Sequence, residues 1–274
     1  MSRDAVAATG LLVAAMRAEE STRDDRLFTD PFAEQLAGEE GRRLLAEAEA
    51  TTGRGSSAQI VIRTRFWDEA LLRANAEGCH QVVTLAAGMD ARAYRLPWRA
   101  GTTLYELDQP QVIALKDDRL ADARPMCERI AIAVNLADDW PKSLKAHGFS
   151  PSAKTAWLVE GLLQYLDAEA VDILFARIDV LSAAGSVLLY DIVGQALVES
   201  PFLKPTLQFM EQLGAPWTFA TDSPAAMAET YGWTATVTDV ATPGNEWQRW
   251  NHPVVPLDVA GAPRGYFVEA IKSD

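Results

Sequence analysis

Between residues 81 and 190 short β-branched runs alternate with helix-length stretches, and this alternation constrains the fold more than any other feature of the chain. The runs cover residues 81–86, 102–107, 130–134, 155–159 and 186–190. The clearest helix among them covers 170–181, with Val171, Leu174, Phe175, Ile178 and Leu181 on one face. Strands that alternate with helices of this length build βαβ units and a parallel sheet. Residues 233–240 and 265–271 read as two more strands with only a loop between them. The expectation is an α/β fold whose mostly parallel sheet closes on a late strand pair.

The first 78 residues read as helices. Residues 5–17 are Ala-rich, and 58–76 carry Ile60, Trp67 and Leu71 at helical spacing. Asp30-Pro31 reads as an N-cap followed by a first-turn proline, opening a short helix through Leu36. Residues 53–57 read as a loop. The segment 193–231 contains Phe202, Phe209 and Trp217 and follows a strand's C-terminal end, where α/β sheets bind ligands. It reads as a lid or substrate wall, or simply as packed helix. The chain thus divides into a helical cap (1–78), a core (79–192), the lid segment (193–231) and closing strands (232–274), all within one domain.

Composition narrows the partners. The 38 acidic residues outnumber the 25 Lys+Arg, which gives a formal charge of −13. Phosphate binding needs a surplus of cations, so nucleic acid is not an expected partner. No polybasic segment favours an anionic membrane, and no apolar run approaches the ~20 residues of a span. Two cysteines, Cys79 and Cys127, fit a reducing, cytoplasmic compartment, and the N-terminus shows no signal-peptide pattern. The three histidines are scattered, so no zinc site is expected. Neither a G-x-S-x-G elbow nor a Walker-type loop is present.

The ends of the predicted strands carry the chemistry. The first runs into Ala86-Ala87-Gly88-Met89-Asp90-Ala91. A dinucleotide fingerprint wants glycine at the first, third and sixth positions, and only Gly88 supplies one. Asp90 would repel a pyrophosphate, so a cofactor with an ammonium and no phosphate suits the turn better; a plain turn capped by Asp90 is the simpler reading. Asp108 lies twenty residues after Gly88, about the spacing at which a carboxylate accepts both hydroxyls of a ribose. Glu106 competes for that role. Asn135, with Leu136 against the ring face, is placed to take the amino group of an adenine, while Asp138 or Asp139 reads as a helix cap. Glu160 ends the fourth strand; a partly buried carboxylate there needs a cation, from a ligand or from a neighbouring arginine.

Taken together, Val83-Thr84-Leu85-Ala86-Ala87-Gly88-Met89-Asp90-Ala91-Arg92, Glu106-Leu107-Asp108-Gln109-Pro110, Asn135-Leu136-Ala137-Asp138-Asp139-Trp140 and Val159-Glu160-Gly161-Leu162-Leu163-Gln164-Tyr165-Leu166 resemble the leucine carboxyl methyltransferase family. Within it, the chain looks most like the bacterial S-adenosylmethionine-dependent O-methyltransferases that include polyketide carboxyl methyltransferases. Arg17-Ala18-Glu19-Glu20, Asp30-Pro31-Phe32-Ala33 and Arg63-Thr64-Arg65-Phe66-Trp67-Asp68 extend the likeness upstream. The resemblance implies a class I methyltransferase (Rossmann-like) fold, with a seven-stranded mostly parallel sheet, a helical N-terminal cap and a lid insertion. It implies S-adenosyl-L-methionine as cofactor. Asp108 would hold the ribose and Asn135-Leu136 the adenine, although the family usually has Asp where Asn135 stands. Arg63 and Arg17 would hold the cofactor's carboxylate, Glu160 would face its methionine portion, and Ala87 and Gly88 would form the close turn. Ala86 stands where the family's turn usually carries another glycine.

A sulfonium methyl is already activated, so alignment for in-line displacement is the main requirement. An ionised carboxylate acceptor needs no general base, whereas a phenol or alcohol benefits from one. His252 and the Tyr190-Asp191 pair are the candidate bases, with His252 in a loop that also suits a structural role. Gln164, Tyr165, Phe202, Phe209 and Trp217 are the candidate acceptor-facing residues. The expected function is methyl transfer to a carboxyl or hydroxyl oxygen of a small-molecule acceptor, such as a polyketide or other natural product. The alternatives are a nicotinamide-dependent oxidoreductase and a non-catalytic cofactor-binding partner module. The sequence sets neither the acceptor nor the oligomeric state.

Overall fold

The computed structural model describes residues 3–53 and 57–273. Met1, Ser2 and residues 54–56 of the predicted loop lie outside the described residues. Three helices lead the chain: α1 (Arg3–Ser21), α2 (Ala33–Thr52) and α3 (Ala58–Ala76). The strands are β1 (Gln81–Leu85), β2 (Thr103–Asp108), β3 (Glu128–Ala133), β4 (Thr155–Val159), β5 (Val187–Val193), β6 (Trp233–Asp239) and β7 (Gly265–Lys272). They form one seven-stranded sheet in the order β3-β2-β1-β4-β5-β7-β6. β1 to β5 are parallel and β7 runs antiparallel to both β5 and β6.

β1, β2, β4 and β5 are buried on both faces, which is why they read as near-continuous apolar runs rather than as alternating ones, whereas the edge strands β3 and β6 are partly exposed. Successive residues still point to opposite sides. Val82, Leu104, Leu158 and Leu189 join the layer formed with α1–α3, while Val83, Tyr105, Trp157 and Leu188 join the layer under the Ala168–Val180 helix. The strand order reverses direction between β1 and β4, so the crevice beyond their C-terminal ends is the place where such sheets bind ligands.

Two expectations for the flanking elements are corrected. Asp30 is not an N-cap: the helix starts after Phe32, and Asp30 uses its carboxylate on Phe32 N and on Arg17. The short helix does stop just after Leu36: Gly38 (φ +59°, ψ −165°) is non-helical and separates it from a second helical stretch that runs to Thr52, and the glycine lies under the Arg119 guanidinium, whose nearest atom is 3.1 Å from where a Cβ would stand. β6 and β7, however, are joined by more than a loop, because Ala241–Glu246 forms a helix between them. Pro243 and Gly244 in its middle had masked that turn of helix in the sequence. Among the described residues no helix is long and apolar enough to cross a membrane.

Candidate functional site

A cavity of about 990 Å³ opens at the C-terminal ends of β1, β2, β3, β4 and β5. Arg17, Arg63, Ala87, Gly88, Asp108, Asn135, Leu136, Glu160, Gln164, Tyr165, Phe209, Trp217 and His252 all line it. Arg17 and His252, 235 positions apart, line the same cavity, with the ends of five strands forming its floor.

The turn after β1 is tight and left-handed at two points. Ala86 has φ +55° and Gly88 has φ +48°. Such a conformation is costly for a residue with a Cβ. It aims the Gly88 N–H at Asp108, whose Oδ2 accepts it at 2.6 Å. The Asp108 Oδ1 accepts from Gln109 N at 2.7 Å. Burial pushes the Asp108 carboxyl above its ordinary value, and these two backbone donors only partly offset that. A carboxylate has about four lone-pair sites, so it can still accept from a vicinal diol. Glu106 does not compete: it is buried in an ion triad with Lys116 (2.9 Å) and Arg129 (2.8 Å).

Beside the turn lies a buried ionic ladder. Arg63 Nε donates to Glu160 Oε1 at 2.9 Å and its Nη1 to Asp191 Oδ2 at 3.2 Å. Arg92 Nη1 donates to Glu160 Oε2 at 2.6 Å, its Nε to Asp68 Oδ1 at 2.6 Å, and it also pairs with Asp90. Arg95 joins through Asp68, and Arg17 Nε donates to Asp30 Oδ2 at 3.1 Å while reaching the Met89 carbonyl. Glu160 is thus not waiting for a ligand cation; two arginines already hold it. Desolvation works against its charge, but Arg92 and Arg63 outweigh that and lower its pKa. The same opposition lowers Asp90, where Arg92, Lys116 and Arg17 prevail over burial. Asp191 goes the other way: burial and Glu160 raise it despite Arg63. The four arginines 17, 63, 92 and 95 face five acids, Asp30, Asp68, Asp90, Glu160 and Asp191, so by formal count, with every carboxyl ionised, the cluster has one acid in excess.

Asn135 is exposed, and its Oδ1 accepts from Ala137 N at 3.0 Å. Asp139, not Asp138, caps the following helix by accepting from Lys142 N. Gln164 is buried, with its Oε1 lacking a hydrogen-bond partner among the described residues. Trp217 Nε1 lies near enough to the Tyr165 hydroxyl to favour its charged form, without a hydrogen bond to it, and burial nonetheless raises that phenol.

Two predicted site residues are not brought here. Tyr190 points to the opposite face of the sheet, because its neighbour Asp191 takes the cavity side and strand residues alternate. Its ring packs edge-on against Phe175 and its hydroxyl donates to the Pro224 carbonyl at 2.7 Å. Burial also raises its pKa, so it is not a base for this cavity. Phe202 is 85% exposed and turned outward, with Leu203 taking the inward position beside Phe209. Arg95 and Arg249 also belong to the site region without a signal of their own in the sequence, and Asp68 and Arg92 stand out there only as members of motifs. An arginine two residues after Asp90 was the available signal.

A family description for leucine carboxyl methyltransferase matches residues 10–179. A Mycobacteroides abscessus protein provisionally named an S-adenosyl-L-methionine-dependent methyltransferase is 40% identical over 96% of this chain and 94% of its own length. Among solved structures, a Thermobifida fusca protein provisionally named a methyltransferase superposes with a TM-score of 0.63 at 18% identity, covering 89% of this chain and 93% of that one. Human N-acetylserotonin methyltransferase in complex with SAM aligns with a TM-score of 0.50 at 12% identity, over 95% of this chain and 67% of that one. The fold is that of the class I methyltransferases. The chain belongs to the leucine carboxyl methyltransferase family.

Proposed function

We propose that this protein is an S-adenosylmethionine-dependent O-methyltransferase acting on a carboxyl or enolic oxygen of a small, largely apolar molecule. Methyl transfer itself follows from the family. The observation that carries the cofactor's placement is the pairing of a diol-ready Asp108 with an ionic ladder that by formal count has one acid in excess, both on the wall of one cavity. S-adenosylmethionine fits this donor set: it has a ribose, an ammonium, a carboxylate and a sulfonium, and its net charge is one positive.

When bound, the cofactor supplies a methyl group already activated on sulfur. The chain's residues bind and orient. Asp108 accepts the ribose hydroxyls. Leu136 lies against the adenine, and the second lone pair of Asn135 Oδ1 takes its exocyclic amine. Arg17 and Arg63 face the carboxylate, and the excess acid of the ladder receives the ammonium. Ala87 and Gly88 keep the turn close to the ligand. The cavity volume sits at the top of the range of about 300–1,000 Å³ usual for small-molecule sites. That leaves room beside the cofactor for an acceptor against Gln164, Tyr165, Phe209 and Trp217.

An acidic oxygen acceptor is favoured because, among the described residues, the cavity-facing carboxyl of Asp191 is already held by Arg63 Nη1 and by Gly161 N. His252 is exposed and rests edge-on against Trp250, with ring centroids 5.8 Å apart. A carboxylic acid is already ionised near neutral pH, and an enol approaches that only when conjugated to a further acyl group. Labelled-methyl transfer onto a panel of acceptors, followed by mild alkali, tests this. A methyl ester releases its label under alkali, and a stable aryl ether retains it; retention in every product contradicts the carboxyl arm, and no transfer to any oxygen contradicts the proposal.

A further inference from the structure

β3 is the outermost strand on its side of the sheet, so the segment that follows it has a sheet neighbour on one side only. That segment carries Asn135 and Leu136, which line the cavity. Its own hydrogen bonds are local: Ala137 N donates to Asn135 Oδ1 at 3.0 Å, and Asp138 N to the Asn135 carbonyl at 2.9 Å. The tie to another element comes from Arg177, in the last turn of the Ala168–Val180 helix. Its Nη1 donates to the Asp138 carbonyl at 2.7 Å and to the Leu136 carbonyl at 3.3 Å, across 39 and 41 residues of sequence. Arg17, Arg63 and Arg249, which share the cavity wall, are each paired with acids. Among the described residues, the partners of Arg177 are these two carbonyls.

The Leu136 carbonyl and the Ala137 N–H belong to one peptide unit, which is planar and aims them in opposite directions. Arg177 therefore holds one end of that unit, and Asn135 Oδ1 holds the other. With the plane fixed, the Asn135 amide cannot turn over, because its NH2 would then face the Ala137 N–H, donor against donor. A cation on the carbonyl also polarises the unit and strengthens the bond from its N–H to Oδ1. Asn135 itself is exposed at the cavity wall, so its Oδ1 has a second lone pair open to a ligand.

We infer that Arg177 is a positioning residue for base recognition: by fixing the 136–137 peptide it keeps Asn135 presenting an acceptor, so the site takes a base with an exocyclic amine and disfavours one with a carbonyl in that place. This rests on the adenine placement proposed above.

The test compares S-adenosylhomocysteine with S-inosylhomocysteine, whose base carries a carbonyl in place of the amine, by calorimetry on the full chain. The wild type is expected to bind the adenine ligand about tenfold tighter, the scale of one hydrogen bond exchanged for two opposed acceptors. Arg177→Met keeps the apolar stem and removes the donors. It should bind S-adenosylhomocysteine several-fold more weakly and bring the two ligands within about twofold of each other, because the freed amide can turn its NH2 to the carbonyl. Arg177→Lys retains a donor and should recover part of the preference. In an Asn135→Ala background, Arg177→Met should change the preference no further, since it acts through that side chain. Should Arg177→Met fail to fold, Arg177→Gln, too short to reach both carbonyls, carries the same expectation. A variant that keeps the wild-type preference, even with both affinities lowered in proportion, overturns the inference, as does a further change in the Asn135→Ala background. Failure of the wild type to bind S-adenosylhomocysteine contradicts the cofactor reading, and equal wild-type affinity for the two ligands contradicts the adenine placement. Either takes the inference with it, and both are seen in the wild type, so they are distinguishable from a failure of Arg177 alone.

Discussion

Gly88 donates its backbone N–H to the Asp108 carboxylate at 2.6 Å, so the turn after β1 and the tip of β2 are locked to each other across the mouth of the sheet. The bond explains why the acid's position is fixed before any ligand arrives. Burial raises the Asp108 pKa, with the Gly88 and Gln109 N–H groups pulling it partly back. The sign for folding follows: ionised Asp108 opposes folding at neutral pH, and that opposition fades as pH falls through its raised value. For ribose binding the sign is reversed, because a protonated carboxyl accepts hydroxyl protons poorly. S-adenosylhomocysteine affinity is therefore expected to fall on acidification earlier than an ordinary aspartate would allow. Asp108→Asn should weaken binding by about tenfold and flatten that acid limb. Calorimetry between pH 5 and 8 checks it, and an identical limb in the variant contradicts the assignment.

The Arg63 guanidinium bridges Glu160 and Asp191; Arg63 and Asp191 are buried and the Glu160 side chain is only 11% exposed. Removing one member of a buried ion network strands the others, at a cost of about 3–5 kcal/mol. Arg63→Met should fall near the lower end, since Glu160 keeps Arg92. Urea unfolding measures it, and a loss below about 1 kcal/mol contradicts a buried network. Glu160, with its lowered pKa, contributes stability above the ordinary glutamate range and loses it as pH falls through its folded value. Glu160→Gln should therefore be less stable than wild type at pH 7, with the gap closing at acid pH.

Gly161 adopts φ +63°, and a Cβ on it would stand 3.0 Å from Arg63 Nη1. Gly232 has φ +78° with nothing within 4 Å. Both substitutions to alanine incur the left-handed penalty of about 1–2 kcal/mol, but only Gly161→Ala also displaces Arg63. It should lose more stability than Gly232→Ala and also weaken S-adenosylhomocysteine binding several-fold, whereas Gly232→Ala should leave binding unchanged. Equal effects of the two on binding would show that Gly161 does not seat Arg63.

Ala86 has φ +55°, a left-handed conformation that glycine adopts without steric cost. Ala86→Gly should relieve the left-handed strain, against the greater freedom glycine has when unfolded, for a net gain of about 0.5–1 kcal/mol. Thermal unfolding reads this directly, and a clear destabilisation would place the turn in another conformation.

Much of this was legible in the sequence, and the parts that were not share a cause. The runs at 81–86, 102–107 and 155–159 matched strands to within a residue or so because their fully buried, β-branched character is local. The helix Ala58–Ala76 fell where its periodicity placed it. Asp108, Gly88 and Glu160 reach the cavity because strand ends in a parallel sheet share one edge. Tyr190 failed because which of two neighbouring strand residues faces the ligand depends on register, and both Tyr190 and Asp191 are buried. Phe202 failed because an aromatic residue in a turn carries no sign of its direction. The pairing of Glu160 with Arg63 and Arg92 spans 97 and 68 residues, a separation that no local pattern encodes.

Titration of the wild-type chain with S-adenosylhomocysteine and, separately, with NAD tests the central claim most directly. The account predicts one-to-one binding of S-adenosylhomocysteine and no heat of binding for NAD, because the Asp90 side of the turn accepts an ammonium and repels a pyrophosphate. Binding of NAD in place of S-adenosylhomocysteine would contradict it.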